Sequence, residues 1–334
     1  MLPTLKIGTR DSVLAQWQTK WVVNELKRNW PNLNCQVIAV KTKGDKILDV
    51  ALSKIGDKGL FTKELEASLL EGQIDLAVHS LKDLPTELPH GCSLGAICRR
   101  TEPGDVLISK GGRTLKGLPP GSRIGTSSLR RKAQILYYRP DLQIIDLRGN
   151  IPTRLQKLEQ TDLDAIVIAA AGVERLGLRE RVAEYLPYEI CLPAVGQGAI
   201  ALEQRTGDHQ VRRLIAPLHD DESAVTTLAE RALLRGLGGG CQIPIAALGR
   251  QDNGRLILDA RVASIDGSQM VMGTKEIDWP IRPIIQSNSA VIDDNDSNFE
   301  WSYQTIVEQM GQELAEELLD QGARSILETI RACF

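Results

Sequence analysis

Four short apolar runs, each stopping at a polar turn that leads into a helical pattern, hold this chain to an alternating α/β architecture. They lie at 6–9, 123–125, 142–147 and 164–169. Short strands fed directly into helices pack as a parallel sheet with helices against it. Ser12 or Asp11 caps the first such helix, 13–29, whose Leu14, Trp17, Trp21, Val22 and Leu26 form one apolar stripe. Pro152 suits the first turn of a later one. A further strand at 74–78 runs into His79-Ser80-Leu81-Lys82-Asp83-Leu84-Pro85.

Ligands of open α/β sheets lie beyond the carboxyl ends of the strands. Arg10 and Ser12 stand at the first such end, where a helix start offers an anion site. Ser80, Lys82 and Asp83 stand at another. Thr126, Ser127 and Ser128 turn into a helix whose first turn holds Arg130 and Arg131, cations that oppose the helix dipole and so suggest an anionic partner. Arg148, Arg154 and Arg175 follow the next two strands. Any one of these arginines alone reads as a surface residue. Five at equivalent ends of one parallel array (130, 131, 148, 154 and 175) read as a site for a multiply anionic ligand, because guanidinium forks match carboxylates and phosphates. Asp83 beside Lys82 reads either as a loop ion pair or as a carboxylate held for acid–base work.

With 334 residues the chain has room for two or three cores. The polar break at 99–105 and the glycine-punctuated turn at 193–198 read as two crossings of a hinge, with ligand held between the lobes. The boundaries expected are 1–99 plus 199–218 for a first domain, 100–198 for a second and 219–334 for a third. The polar, proline-bearing segment 278–301 is expected to be an insertion in the third. The polar stretch ending in Lys58 and Gly59 reads as a lid.

In the third domain, a helical pattern at 222–237 ends in Gly238-Gly239-Gly240-Cys241-Gln242-Ile243-Pro244. Such a run is a loop, and its thiol is either presented to a ligand or buried beside a helix stop. Six cysteines without a Cys-x-x-Cys pair and four dispersed histidines favour neither a disulfide framework nor a metal site. A net charge of −3 gives no reason to expect nucleic acid. Neither a signal-peptide pattern nor an apolar run of membrane-spanning length is visible, so a cytoplasmic protein without membrane contact is expected.

Several motifs resemble one family in order along nearly the whole chain. They are Ile7-Gly8-Thr9-Arg10 with Ser12 and Gln18; Lys58-Gly59-Leu60-Phe61-Thr62; His79-Ser80-Leu81-Lys82-Asp83-Leu84-Pro85; and Gly125-Thr126-Ser127-Ser128-Leu129-Arg130-Arg131. Leu147-Arg148-Gly149-Asn150 with Arg154, Gly196-Gln197-Gly198, and Gly239-Gly240-Cys241-Gln242 complete the set. Together they resemble the porphobilinogen deaminase (hydroxymethylbilane synthase) family, with Pro152 and the long 278–301 segment as departures.

The resemblance implies three α/β domains, the first two like a two-lobed periplasmic binding protein and the third a small domain carrying the cysteine. It implies a dipyrromethane cofactor joined covalently to Cys241. It also implies stepwise head-to-tail condensation of four porphobilinogen molecules, with loss of ammonia and hydrolytic release of hydroxymethylbilane. Asp83 would be catalytic, and Lys82, Asp83, Thr126, Ser127, Ser128, Arg130 and Arg131 would hold the cofactor. Arg10, Ser12, Arg148, Arg154, Arg175 and Gln197 would hold substrate, and Lys58 with Gly59 would lie on the lid. A monomer that passes its product to the next tetrapyrrole enzyme is expected. Two other readings use the same residues: a two-lobed anion-binding module without chemistry, which leaves the Gly-Gly-Cys loop without purpose, and a thiol acyl transferase, for which no motif supplies a histidine near Cys241.

Overall fold

The computed structural model describes residues 4–46, 59–240, 243–279 and 301–333. Strand β1 (Leu5–Arg10) feeds α1 (Val13–Asn29), and the Ser12 hydroxyl caps that helix by accepting from the Ala15 N–H at 3.2 Å. Next come β2 (Cys35–Val40), the single turn α2 (Lys43–Lys46), α3 (Lys63–Leu70), β3 (Leu76–Ser80) and β4 (Cys92–Ile97). The chain crosses over into β5 (Asp105–Ser109), β6 (Arg123–Gly125), α4 (Leu129–Tyr138), β7 (Gln143–Ile145), α5 (Ile151–Gln160), β8 (Ala165–Ala169), α6 (Ala170–Arg175) and β9 (Glu184–Tyr185). It returns as β10 (Ile200–Arg205) and α7 (His209–Ile215). A last unit holds α8 (Asp221–Gly236), the strands β11 (Ile245–Asp252), β12 (Arg255–Ala263) and β13 (Met270–Asp278), then α9 (Gln304–Leu318) and α10 (Arg324–Arg331).

Two five-stranded sheets follow one plan. Their orders are β2-β1-β3-β10-β4 and β7-β6-β8-β5-β9. In each, the first three strands are parallel and the fourth, reached through a crossing, runs antiparallel to the third. The carboxyl ends of β1 and β3 in one lobe therefore join those of β6, β7 and β8 in the other as the ends that carry the expected site residues. The third sheet is an antiparallel β11-β12-β13 meander.

Some local expectations are corrected. The strand expected at 74–78 is β3, Leu76–Ser80, because β10 pairs Ala201 with His79 and Ile200 with Ser80 and so draws both into the ladder. Asp105 is no part of a polar break: it opens β5 and is fully buried. Lys58 and Cys241 lie outside the described residues, as does most of the expected insertion at 278–301.

The core of the third unit reaches into the first lobe. Leu81 and Leu84, which flank Lys82 and Asp83, pack in one cluster with Val225, Leu228 and Ala229 of α8 and Met310 and Leu314 of α9. Each leucine buried in this way contributes roughly 1.5–3 kcal/mol. Helix α8 is enclosed on nearly every side, from Ser223 to Leu233. Its Glu230 and Arg231 therefore need partners inside the protein.

Candidate functional site

A cleft pocket opens at the ends of β1 and β3, lined among others by Arg10, Ser12, Gln18, Phe61, Ser80 and Asp83. The Gln18 amide donates to the Ser80 hydroxyl at 2.9 Å, fixing the strand end. Arg10 lies 3.7 Å from an Asp83 carboxylate oxygen, with its guanidinium 4.1 Å above the Phe61 ring. The Asp83 side chain keeps 31 % of its surface exposed. It sits on a single 3₁₀ turn, Leu81–Asp83, whose C-cap residue Leu84 donates its N–H back to Leu81. A carboxylate presented to a cleft from a turn anchored at both ends can meet a ligand without being drawn into the core.

Lys82 lies on the same turn. Its ammonium donates to the Gln197 side-chain oxygen at 3.3 Å. Burial, with Arg131 close by, outweighs the pull of Asp83 and brings that ammonium down to about 8. Gln197 lies in the returning crossover and joins the lobes. Its amide nitrogen donates to the Pro103 and Gly104 carbonyls and, at 2.9 Å, to Asp105.

Asp105 answers the two arginines of the first turn of α4. Arg130 donates to one of its oxygens at 2.8 Å and Arg131 to the other at 2.7 Å. Arg130 also reaches the Leu192 carbonyl and Arg131 the Val167 carbonyl. Burial alone would raise the Asp105 carboxyl, but Arg130 and Arg131 hold it well below the usual carboxylate range. The anion implied by first-turn cations is thus, in part, a residue of the chain itself. One carboxylate against two guanidiniums leaves positive charge at this end of β6.

Around them stand the hydroxyls. Ser128 caps α4, Thr126 accepts from the Ser128 N–H at 3.2 Å, and Ser127 accepts from the Leu147 N–H at 2.9 Å. Arg154 donates through Nε to the Gly149 carbonyl. Burial, then Arg131 and Arg148, brings its guanidinium down to about 10, so three cations share this wall. Arg175 turns toward the hinge, donating to the Gly198 carbonyl at 2.7 Å, with the Trp17 ring 5.9 Å away in the other lobe. Burial brings it to about 10 as well. Gly59 precedes α3 at positive φ, and its carbonyl accepts from the Thr62 and Lys63 N–H groups.

The structure also brings forward residues that sequence reasoning missed. Glu230 of α8 accepts from Arg100 at 2.6 and 3.2 Å and from the Gly196 and Gly249 N–H groups, each at 2.7 Å. It ties both crossovers to the third unit. Arg231 donates to the Leu84 and Pro85 carbonyls, the two that follow Asp83. His79, which lines the cleft pocket, meets Glu203 at 2.9 Å. The available signal was a charged residue directly beside apolar ones: Glu203 after Ile200, Ala201 and Leu202 in β10, and Glu230 and Arg231 between Leu228-Ala229 and Ala232-Leu233 in α8.

As a whole, the site sets one exposed carboxylate and Arg10 against a wall of arginines, a lysine and hydroxyls. The Nε–H groups of Arg131 and Arg175 are buried without an acceptor among the described residues. This donor set fits a chain of carboxylates far better than an apolar ligand.

Family models match over most of the sequence. One, described as "Porphobilinogen deaminase, dipyromethane cofactor binding domain", covers residues 5–213, and another, "Porphobilinogen deaminase, C-terminal domain", covers 224–320. The chain is 51 % identical to the porphobilinogen deaminase of Moorella thermoacetica over 328 residues, 98 % of this chain and 97 % of that one. It is 49 % identical to that of Desulforamulus reducens over 330 residues, 98 % of each. Among solved structures, the Bordetella pertussis BvgS periplasmic VFT2 domain aligns at 15 % identity and a TM-score of 0.39, over 66 % of this chain and 91 % of that one.

Proposed function

The chain belongs to the porphobilinogen deaminase family, and from that premise we propose which of its residues carry the reaction. The activity is the deaminative condensation of porphobilinogen into hydroxymethylbilane, on a dipyrromethane cofactor. The bound dipyrromethane supplies the first pyrrole chain to which substrate is joined. We place its covalent attachment at Cys241, just past the α8 helix. Its carboxylates are read as held by Lys82, Arg130 and Arg131 with the hydroxyls of Thr126, Ser127 and Ser128.

The observation that carries the assignment is Asp83: one carboxylate open to the cleft, 3.7 Å from Arg10, on a turn locked into the shared core. Each porphobilinogen brings an acetate and a propionate, and loss of ammonia leaves it a cationic azafulvene. A carboxylate placed beside that cation stabilises it as charge develops. Asp83 can also accept the proton lost from the attacked carbon and release it toward solvent. Arg10, Ser12, Arg148, Arg154, Arg175 and Gln197 are assigned to the substrate carboxylates and growing chain, with Lys58 and Gly59 on the lid over them. The domain boundaries 1–99 plus 199–218, 100–198 and 219–334 are proposed with this division of labour.

Asp83→Asn tests the central assignment. Turnover should fall by roughly 10²–10⁴ while the intact mass keeps the cofactor adduct. Turnover close to that of the unaltered enzyme would remove Asp83 from the chemistry. We further read the enzyme as a cytoplasmic monomer that hands its product to the next tetrapyrrole enzyme. Among the described residues no helix is long and apolar enough to cross a membrane. Sedimentation at the mass of a dimer would correct the monomer reading.

A further inference from the structure

The third unit reaches the second lobe through one buried amide. Gln134, one turn after Arg130 on α4, is 2 % exposed. Its Oε1 accepts from the Leu192 N–H at 2.9 Å and from a guanidinium N–H of half-buried Arg261 at 3.1 Å. Its Nε2 donates to the Leu192 carbonyl at 3.0 Å and to the Arg130 carbonyl at 3.3 Å. The Arg130 guanidinium donates to the same Leu192 carbonyl. One carbonyl, with its two lone pairs, is thus shared by Gln134 and Arg130. Arg261 comes from β12, on the far side of the crossover. Two donors on Oε1 fix which way the amide faces, because the reverse would set Nε2 against them. A hydrogen bond from a charged donor is about twice as strong as one between neutral groups. Arg261 is therefore the stronger of the two holds on that oxygen.

We propose that Arg261 is a positioning residue for the condensation: through Gln134 and Leu192 it holds Arg130 in place at the dipyrromethane carboxylates. The inference rests on the reading above that Arg130 holds the cofactor. One Nη of Arg130 is committed to Asp105 and Leu192, while its Nε is buried without an acceptor among the described residues. That Nε–H is the donor left for a carboxylate. A planar fork meets a carboxylate only when correctly turned, and the Leu192 carbonyl sets its turn. Other contacts seat the same elements on the third unit. Ala246, opposite Arg261 in the β11–β12 ladder, packs with Leu192, and the Ala247 N–H donates to the Pro193 carbonyl at 3.2 Å. At the β12–β13 turn, Gly267 has φ +73°, and a Cβ there would lie 2.6 Å from the Ala133 carbonyl oxygen of α4. These are backbone and apolar contacts. Arg261 adds the directed polar one, and it ends on the carbonyl that Arg130 uses.

Steady-state kinetics of the adduct-bearing holoenzyme test this in Arg261→Met, Arg261→Lys, Arg130→Lys and the double variant Arg130→Lys with Arg261→Met. Arg261→Met removes the donor and keeps an unbranched stem; Arg261→Lys keeps a cationic donor. A misplaced primer costs rate without costing substrate binding. So kcat is expected to fall about tenfold in Arg261→Met, with KM within about twofold of that of the unaltered enzyme. Arg261→Lys should recover most of the loss. Because Arg261 acts through Arg130, adding Arg261→Met to Arg130→Lys should lower kcat little further. A full additional loss in the double variant would place the effect outside Arg130 and overturn the inference, as would a raised KM at unchanged kcat. Equal losses in Arg261→Lys and Arg261→Met would reject the polar contact as its cause. A fall of kcat in Arg130→Lys with none in Arg261→Met would overturn this inference alone. An unchanged kcat in Arg130→Lys would overturn the cofactor role of Arg130, and this inference with it.

Discussion

Lys82 and Asp83 are neighbours on one turn, yet their surroundings separate their roles. Asp83 faces the cleft, while Lys82 is drawn toward Gln197 and its ammonium is brought down to about 8. That ammonium carries its charge below this value and loses it above. Its hold on carboxylates should therefore weaken as pH rises through about 8. The alkaline limb of kcat/KM is expected to move upward in Lys82→Arg, whose guanidinium stays charged; an unchanged limb would assign it elsewhere. Most candidate side chains were legible in the sequence, because strand ends and helix caps are local patterns. Asp105 was not, since its partners Arg130 and Arg131 lie 25 and 26 residues away and only the folded sheet brings them together. Asp105→Asn leaves two buried guanidiniums underpaired and should cost about 3–5 kcal/mol in chemical denaturation. The folded-state carboxyl lies below its ordinary value, so this contribution is present at neutral pH. It should persist on mild acidification and disappear only as pH falls through the lowered pKa.

At the level of elements, the hinge is narrower than its sequence suggests. Gly198 has φ +95°, and a Cβ there would lie 2.7 Å from the Thr101 carbonyl oxygen of the other crossover. Gly198→Ala should therefore destabilise the enzyme by about 1–3 kcal/mol and lower its thermal midpoint; an unshifted midpoint would mean that the crossovers separate without penalty. The crossovers themselves were visible as breaks in the apolar pattern. What binds them was not, because Glu230 joins Arg100 from 130 residues away, and only the folded structure buries that position of α8. The same reason hid β3's extension through Ser80, which depends on β10, a strand contributed after the chain has built the second lobe.

For the whole molecule, the cofactor reading predicts a covalent adduct of two pyrrole units on the intact protein and none on Cys241→Ala. An unmodified mass that stays unmodified after incubation with porphobilinogen would reject Cys241 as the anchor. The two-lobed plan was readable because the break at 99–105 and the glycine-punctuated turn at 193–198 mark two crossings in the sequence. The merging of the first lobe with the third unit was not, because it depends on leucines that look ordinary one at a time. That merging has a mechanical consequence. Leu81 and Leu84 bracket Asp83, the carboxylate proposed as catalytic, and are bedded in the same core as α8, the helix that precedes Cys241 in the sequence. Any shift of α8 is therefore passed straight to the turn that carries Asp83, as a tiller passes its swing to the rudder.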